Sequence, residues 1–392
     1  MPRRDEDPAS QHPATRLVRA GRGDGITGPF VNPPVIHAST VLFESVETMR
    51  PNGQRYIYGR LGTPTIEALS GAIGELEGAA GVVLCPSGLS AVSTALLAAL
   101  DSGDHLLLAD NVYEPTRQLA ATTLARLGIE TTAFDPLDLP ALAGLFRDNT
   151  SAVYLESPGS LTFEMADIPA IAALAHARGA LLIVDNTWAT PLLFKPLAAG
   201  ADLSVLAGTK YISGHSDVML GTVAANETIW PRLKQTHESL GLCVGPDDIF
   251  LGLRGLRTLA IRLDRHQQTA LALADFLRAR PEVERVLYPA LPGDPGHAIW
   301  QRDMSGASGL FGVAFRDWSA AKTTAFLDAL QLFGLDYSWG GFESLAIPAR
   351  FQRSAMTAPS PASLIRLHAG LEDPRDLIAD LEQAFERVGN LA

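Results

Sequence analysis

Six short strand-like runs recur between residues 81 and 206, at 81–84, 105–109, 130–134, 152–155, 181–184 and 203–206. Most are apolar throughout rather than alternating, which a half-solvated sheet cannot use and a sheet covered on both faces requires. Segments at 89–100, 118–127 and 169–178 read as helices, so strand and helix alternate along the chain. That alternation gives the α/β class, with a mostly parallel central sheet. Ligands in such sheets gather beyond the carboxyl ends of the strands. Here those ends are polar: Pro86-Ser87-Gly88, residues 110–113, Glu156-Ser157-Pro158-Gly159-Ser160, Asp185-Asn186-Thr187-Trp188 and Thr209-Lys210. Their convergence marks the expected site.

The flanks behave differently. Up to about residue 60 the chain mixes Gly, Pro and polar residues without a helical or strand period, as in Gly21-Arg22-Gly23-Asp24-Gly25 and Asn32-Pro33-Pro34. This reads as an extended N-terminal arm, ordered by contacts with something else, whose first residues are expected to be disordered. After Gly255 come a long helical stretch at 256–279, a strand at 308–315, a helix at 320–330 and a last helix at 374–388. These form a smaller C-terminal α+β domain. The expected division is an arm over 1–60, a ligand-binding domain over 61–256 and a C-terminal domain over 257–392, with no internal repeat.

A net charge of −12 argues against nucleic acid or an anionic membrane as partner, since both need a concentrated basic face. It leaves room for a small anionic ligand held by a few local cations. No stretch approaches the ~20 apolar residues of a membrane span. The paired arginines Arg3 and Arg4 precede no apolar segment, so neither a secretory nor a twin-arginine signal is expected. Cys85 and Cys243 are too few for a disulfide framework and have no metal-ligand spacing, so no metal site is expected and a reduced, cytoplasmic setting follows.

Lysine is scarce: cationic positions are nearly all Arg, and the lysines are Lys195, Lys210, Lys234 and Lys322. Lys210 follows an apolar strand and opens the turn Lys210-Tyr211-Ile212-Ser213-Gly214-His215-Ser216. A lysine that arginine cannot replace is one that must lose its proton, because only a free amine attacks a carbonyl carbon. Lys210 is therefore a candidate Schiff-base lysine, against the plainer reading of a surface lysine at a strand end. Gly88, Leu89 and Ser90 open a helix whose N-terminal amides would cradle a phosphate, although Ser-Gly before a helix also serves simple capping. Tyr113 is placed to stack on a ring, or is an ordinary half-buried aromatic. Asp185 ends the most apolar strand, where a carboxylate is costly to bury without a cation; alone it would read as a helix cap. A protonated pyridine nitrogen is such a cation, and pairing with it keeps the ring an electron sink. Thr209 offers one more hydroxyl. Together these fit pyridoxal 5′-phosphate.

The run from Asp202 to Ser216 resembles the attachment site of the Cys/Met-metabolism family of pyridoxal-phosphate enzymes, and the likeness extends from about Gly21 to the end. The resemblance implies a fold-type-I, transferase-like architecture and a homotetramer with active sites shared between subunits. It implies that Tyr58 and Arg60, in Tyr58-Gly59-Arg60, reach a neighbouring subunit's phosphate. It implies that Arg366, in Leu364-Ile365-Arg366-Leu367-His368, binds the α-carboxylate of an amino-acid substrate, a task suited to a bidentate guanidinium; in isolation Arg366 reads as a surface ion pair. The segment Tyr337-Ser338-Trp339, assigned to substrate binding, is similar to the β-acting branch, since γ-acting relatives place an acid before that serine and continue Ser-Leu-Gly-Gly. Glu156-Ser157-Pro158-Gly159-Ser160 agrees, since γ-acting relatives tend to carry Asn near Ser160. The implied activity is elimination of the Cβ–S bond of L-cystathionine to homocysteine, pyruvate and ammonia, with Lys210 removing the Cα proton and Lys210 or Tyr113 protonating sulfur. Ala207, where many members carry Ser, and Leu89, where Met is common, depart from the pattern without removing a chemical step. The rivals are a γ-lyase, a γ-synthase or a broader cysteine-S-conjugate β-lyase of the same family, the last not distinguished by Tyr337 and Trp339, and a catalytically silent binding or regulatory protein with the same fold. A dinucleotide-binding reading fails because no Gly-x-Gly-x-x-Gly follows the first strand.

Overall fold

The structure is a computed structural model that describes residues 11–23, 26–50 and 53–389. Its first half runs α1 (Pro13–Arg19), α2 (Pro64–Glu77), β1 (Gly81–Cys85), α3 (Gly88–Ala99), β2 (His105–Ala109), α4 (Glu114–Leu119), β3 (Glu130–Phe134), α5 (Leu139–Leu145), β4 (Thr150–Glu156), α6 (Ile168–His176), β5 (Leu181–Asp185), α7 (Thr190–Leu193), β6 (Leu203–Leu206) and β7 (Gly221–Ala225). The second half runs α8 (Trp230–Ser239), α9 (Pro246–Leu256), α10 (Leu259–Arg278), β8 (Val283–Leu287), α11 (His297–Asp303), β9 (Leu310–Phe315), α12 (Ala320–Ala329), β10 (Gly334–Leu335), β11 (Leu345–Pro348), β12 (Leu364–His368) and α13 (Pro374–Gly389).

β1 to β7 form one sheet in the order β1-β7-β6-β5-β4-β2-β3. The neighbours from β6 across to β3 pair in parallel, whereas β7 is antiparallel to both β1 and β6. β2 is buried at every position, as its apolar run Leu106–Ala109 requires, and His105 at its start is satisfied by the hydroxyls of Thr150 and Thr132. A second apolar cluster joins Leu17 of α1, Leu69 and Ile73 of α2 and Leu253 of α9 to Leu84, Leu206 and Leu220. The second sheet has the order β10-β11-β12-β9-β8 and is antiparallel except for its edge pair β10 and β11. α13 buries Leu377, Leu381, Ala384, Phe385 and Val388, a stripe at helical spacing. Phe385 meets Phe315, Trp318 and Phe326 in an aromatic knot beneath that sheet.

Several expectations are corrected. The arm is not wholly irregular: α1 forms because Pro13 suits a first helical position, Leu17 is fully buried, and Arg16 holds Glu75 at 2.9 Å. The helix expected at 118–127 starts earlier, at Glu114, and continues through a π turn over Ala120–Leu124. The long helical stretch expected at 256–279 is α10, Leu259–Arg278, and a separate helix not expected from the sequence, α9, precedes it and ends at Leu256. The expected disorder at the start of the chain falls on residues outside those described.

Candidate active site

Ser87 caps α3, its Oγ accepting the Ser90 amide at 3.1 Å. The amides of Gly88 and Leu89 have no partner within the helix, so an anion can take them. A Cβ on Gly88 would lie 2.6 Å from Cβ of Ala207, so glycine is what lets this helix end approach the end of β6. Ala207 itself is held by its amide, which donates to Thr187 Oγ1 at 2.9 Å.

The same cavity is lined by two carboxyls at the ends of neighbouring parallel strands, Asp185 buried and Glu156 partly buried. Glu156 of β4 pairs in register with Asp185 of β5. Oδ1 of Asp185 accepts from the Thr187 amide at 3.0 Å and the Thr187 hydroxyl at 2.5 Å, and the Tyr154 hydroxyl donates to Oδ2 at 3.3 Å. Burial pushes both carboxyls up from their ordinary range, and neither has a salt-bridge partner among the described residues. Two carboxyls without a cation, beside unpaired helix amides, complement a flat cationic ring that carries a phosphate. The residues present therefore fit pyridoxal 5′-phosphate.

Lys210 lines the same cavity. Its Nζ donates to Ser338 Oγ at 2.7 Å and lies 5.4 Å from the centre of the Trp339 ring. Burial, then repulsion from Arg366, brings the amine down to about 8. A neutral amine is thereby within reach near neutral pH, as a nucleophile or base requires. Tyr113 precedes α4; its amide donates to Glu156 Oε2 at 2.9 Å, and the residue, 49% exposed, lines the cavity. Burial, Glu156 and Asp185 raise its hydroxyl, so Tyr113 keeps a proton that it can donate.

Arg366 comes from β12 in the second sheet and is 6% exposed. Its Nη2 donates to the carbonyls of Asp336, Tyr337 and Ser338 at 3.2, 3.1 and 2.9 Å, while Nε is buried without a partner. One edge of the guanidinium thus orders the 336–338 backbone, and unfilled donor capacity remains for a carboxylate. The surface-ion-pair reading of Arg366 fails, because it is buried and forms no salt bridge among the described residues.

The cavity these groups share holds about 440 Å³. Of the residues expected from sequence, Gly88, Leu89, Tyr113, Asp185, Thr209, Lys210, Tyr337, Ser338, Trp339 and Arg366 line it. Thr209 has its proton committed elsewhere: its hydroxyl donates to the Leu220 carbonyl at 3.1 Å and accepts the Leu220 amide at 2.9 Å. Tyr58 and Arg60 do not line the cavity of their own chain. Tyr58 is 45% exposed, and Arg60 donates to the Glu238 carbonyl at 3.0 Å. Sequence reasoning placed the Glu156 segment among the converging strand ends but gave its carboxyl no role, although it ends an apolar strand just as Asp185 does. It also missed the apolar wall of Leu161, Phe163, Met219 and Leu310, which carries no motif.

The family described as Cys/Met metabolism PLP-dependent enzyme matches residues 14–386. The chain belongs to that family. Within it, the cystathionine beta-lyase of Bordetella avium is 45% identical over 401 residues, covering 97% of this chain and 99% of that protein. The cystathionine beta-lyase of Escherichia coli strain K12 is 42% identical over 388 residues, covering 95% of this chain and 98% of that protein. Among solved structures, cystathionine gamma synthase from Xanthomonas oryzae, in complex with aminoacrylate and cysteine, superposes with a TM-score of 0.89 at 35% identity, over 97% of this chain and 99% of that one. A γ-acting enzyme with this backbone means that the fold supplies the cofactor chemistry while local residues choose the bond broken.

Proposed function

We propose that this family member is a carbon–sulfur lyase that cleaves the Cβ–S bond of L-cystathionine to homocysteine, pyruvate and ammonia. The observation that carries the reading is Lys210, its amine brought down to about 8 and bonded to Ser338, in a cavity with Tyr337, Trp339 and Arg366. That combination is the β-acting pattern of the sequence, assembled around the reacting amine.

The Gly88 and Leu89 amides would hold the phosphate of pyridoxal 5′-phosphate, Asp185 would pair with its ring nitrogen, Tyr113 would stack on the ring and Lys210 would anchor it. When bound, the cofactor supplies an electron sink for the substrate's Cα. Arg366 binds the α-carboxylate with the donors left free by the 336–338 carbonyls. The neutral Lys210 amine takes the Cα proton, and Ser338 Oγ holds that amine in line. Protonated Lys210 or the Tyr113 hydroxyl then protonates the departing sulfur. Leu161, Phe163 and Met219 give the cavity an apolar wall against which the substrate's thioether chain would pack.

Tyr58 and Arg60 are assigned to the phosphate of a neighbouring subunit in a homotetramer, a reading supported by their place outside their own cavity. The division at residues 60 and 256 belongs to the same proposal, its second boundary falling where α9 ends and α10 is about to begin. A reduced, cytoplasmic location accords with Cys85 and Cys243, both free, and no helix among the described residues is long and apolar enough to cross a membrane.

The test is to incubate cofactor-loaded protein with L-cystathionine and identify the products by NMR. Pyruvate with homocysteine is expected. 2-Oxobutyrate with cysteine would move the chain to the γ-acting branch.

A further inference from the structure

Next to Lys210 lies a group of rings that the chemistry above does not use. Tyr211 sits 5.3 Å from His266, 5.9 Å from His368 and 5.4 Å from Trp339, and the two imidazoles are 5.1 Å apart, centre to centre. Both histidines are fully buried and neither lines the cavity.

The hydrogen bonds of His368 define its state. Nδ1 is 3.1 Å from the Glu343 carbonyl, which can only accept, so Nδ1 carries a hydrogen. Nε2 is 3.1 Å from the Gly340 amide, which can only donate, so Nε2 is bare. His368 is therefore a neutral imidazole in one tautomer, with both nitrogens spent on the backbone of a single loop. Its surroundings favour that state: burial, His266, Arg366 and Lys210 all oppose a positive charge on the ring. His266 donates from Nδ1 to the Ala369 carbonyl at 2.7 Å and leaves Nε2 buried and unpaired.

The loop fastened by His368 is the one that touches the reacting amine. Gly340 has φ +84°, and a Cβ there would lie 2.9 Å from the Tyr211 amide nitrogen and 3.0 Å from the Lys210 carbonyl carbon. The Gly340 backbone thus rests directly on that of Lys210. Ser338, two residues earlier, receives the hydrogen bond from Nζ, and Trp339 packs beside it. Arg366 and His368 alternate on β12 and share one face of it. Arg366 holds the carbonyls of residues 336–338, and His368 holds the amide of residue 340.

We propose that His368 is a positioning residue for Lys210: its bare Nε2 fastens the Gly340 amide and thereby sets Ser338 and Trp339 against the lysine amine. Without that acceptor the amide is left buried and unpaired, and Ser338 loses its fixed place. The proposal rests on Lys210 being the reacting amine.

Two neutral variants separate the two bonds. In His368→Gln the side-chain oxygen still reaches the Gly340 amide, whereas in His368→Asn the shorter amide reaches Glu343 and leaves Gly340 unpaired. Each holoenzyme is measured for kcat, KM and the pH midpoint of the visible absorbance of its bound cofactor. Gln should keep kcat within about threefold, while Asn should lose roughly tenfold or more in kcat, with less change in KM and a displaced midpoint. Equal behaviour of the two variants, in either direction, overturns the proposal. A second measurement needs no variant: ¹⁵N NMR of the wild-type histidine rings in the cofactor-free protein. A ring with Nδ1–H and a bare Nε2 is expected for His368; a doubly protonated ring, or one protonated on Nε2, overturns the proposal whatever the substrate proves to be. Wild-type holoenzyme that leaves L-cystathionine intact would instead count against the proposed function, and the NMR result would still judge this one.

Discussion

Lys210 is where a single residue's identity is fixed by physics. An arginine there would stay charged at any working pH, so it could neither attack a carbonyl nor take a proton. The site lowers the lysine by burial first and by the Arg366 charge second. The cofactor-free protein should therefore show Lys210 acetylated by a small anhydride with a pH midpoint near 8, read by mass spectrometry, against an ordinary lysine near 10.5. Arg366→Leu should move that midpoint upward, because the second cause is gone. A wild-type midpoint near 10.5 would mean that the amine is not desolvated and that Lys210 is not the base. The scarcity of lysine singles this residue out in the sequence, and Asp185 is legible there because a carboxyl ending an apolar strand demands an explanation. The role of Arg366 in ordering residues 336–338 is not legible, since backbone carbonyls leave no trace in residue identity. His368 is silent for the same reason.

At the scale of elements, legibility follows burial. β2 and β3 lie where their apolar or β-branched runs place them, and α12 and α13 follow their periodicity. β7 escapes because Gly221-Thr222-Val223-Ala224-Ala225 has little intrinsic strand preference; pairing on both sides with β1 and β6 makes it a strand. α8 escapes because Leu233 is its one buried residue, so no stripe shows. α2 does carry signals, a Thr63 cap, Pro64 at the first position and Gly78 in the left-handed conformation at its end. That helix also delivers Glu77, fully buried in the structure, into the sheet. Glu77 accepts the Ser204 hydroxyl at 2.9 Å on Oε1, while Oε2 has no partner. Burial raises its carboxyl from 4.5 to about 7. Between those values the folded state holds the proton more tightly than the unfolded state, so stability falls as pH rises from about 4.5 towards about 7 and levels off above. Glu77→Gln removes this loss. Its stability relative to wild type should improve between pH 5 and pH 8 by on the order of 2–3 kcal/mol in urea unfolding. A difference that does not change with pH would show that Glu77 is already ionised at pH 5.

The whole molecule leaves its arm unexplained by a single chain. Phe30, Leu42, Val46 and Met49 are 73%, 87%, 86% and 62% exposed, a density of bare apolar residues that asks for a covering surface. The arm is nonetheless shaped. Thr40 bridges Tyr58, and Gly59 approaches Ala38 so closely that a Cβ would lie 1.7 Å from its carbonyl oxygen. Tyr58 is thus presented on an ordered backbone with its ring half exposed, outside its own cavity. The proposed homotetramer would account for both the bare apolar arm and the presented tyrosine, with a second copy of the chain receiving them and completing the phosphate site. Composition alone could call the arm irregular, but which side its contacts lie on depends on a surface that one sequence read alone does not contain. The double variant Leu42→Glu/Val46→Glu should break the assembly in sedimentation velocity and weaken cofactor binding with it. Arg60→Ala should leave the assembly intact and weaken the cofactor by roughly 10- to 100-fold, the span expected for one charge-assisted contact to a phosphate. Cofactor affinity unchanged by Arg60→Ala, in an assembly of wild-type size, would confine Arg60 to its bond with Glu238. If the double variant sediments as the wild type does, the exposed residues do not hold the subunits together, and the covering surface proposed for the arm is refuted.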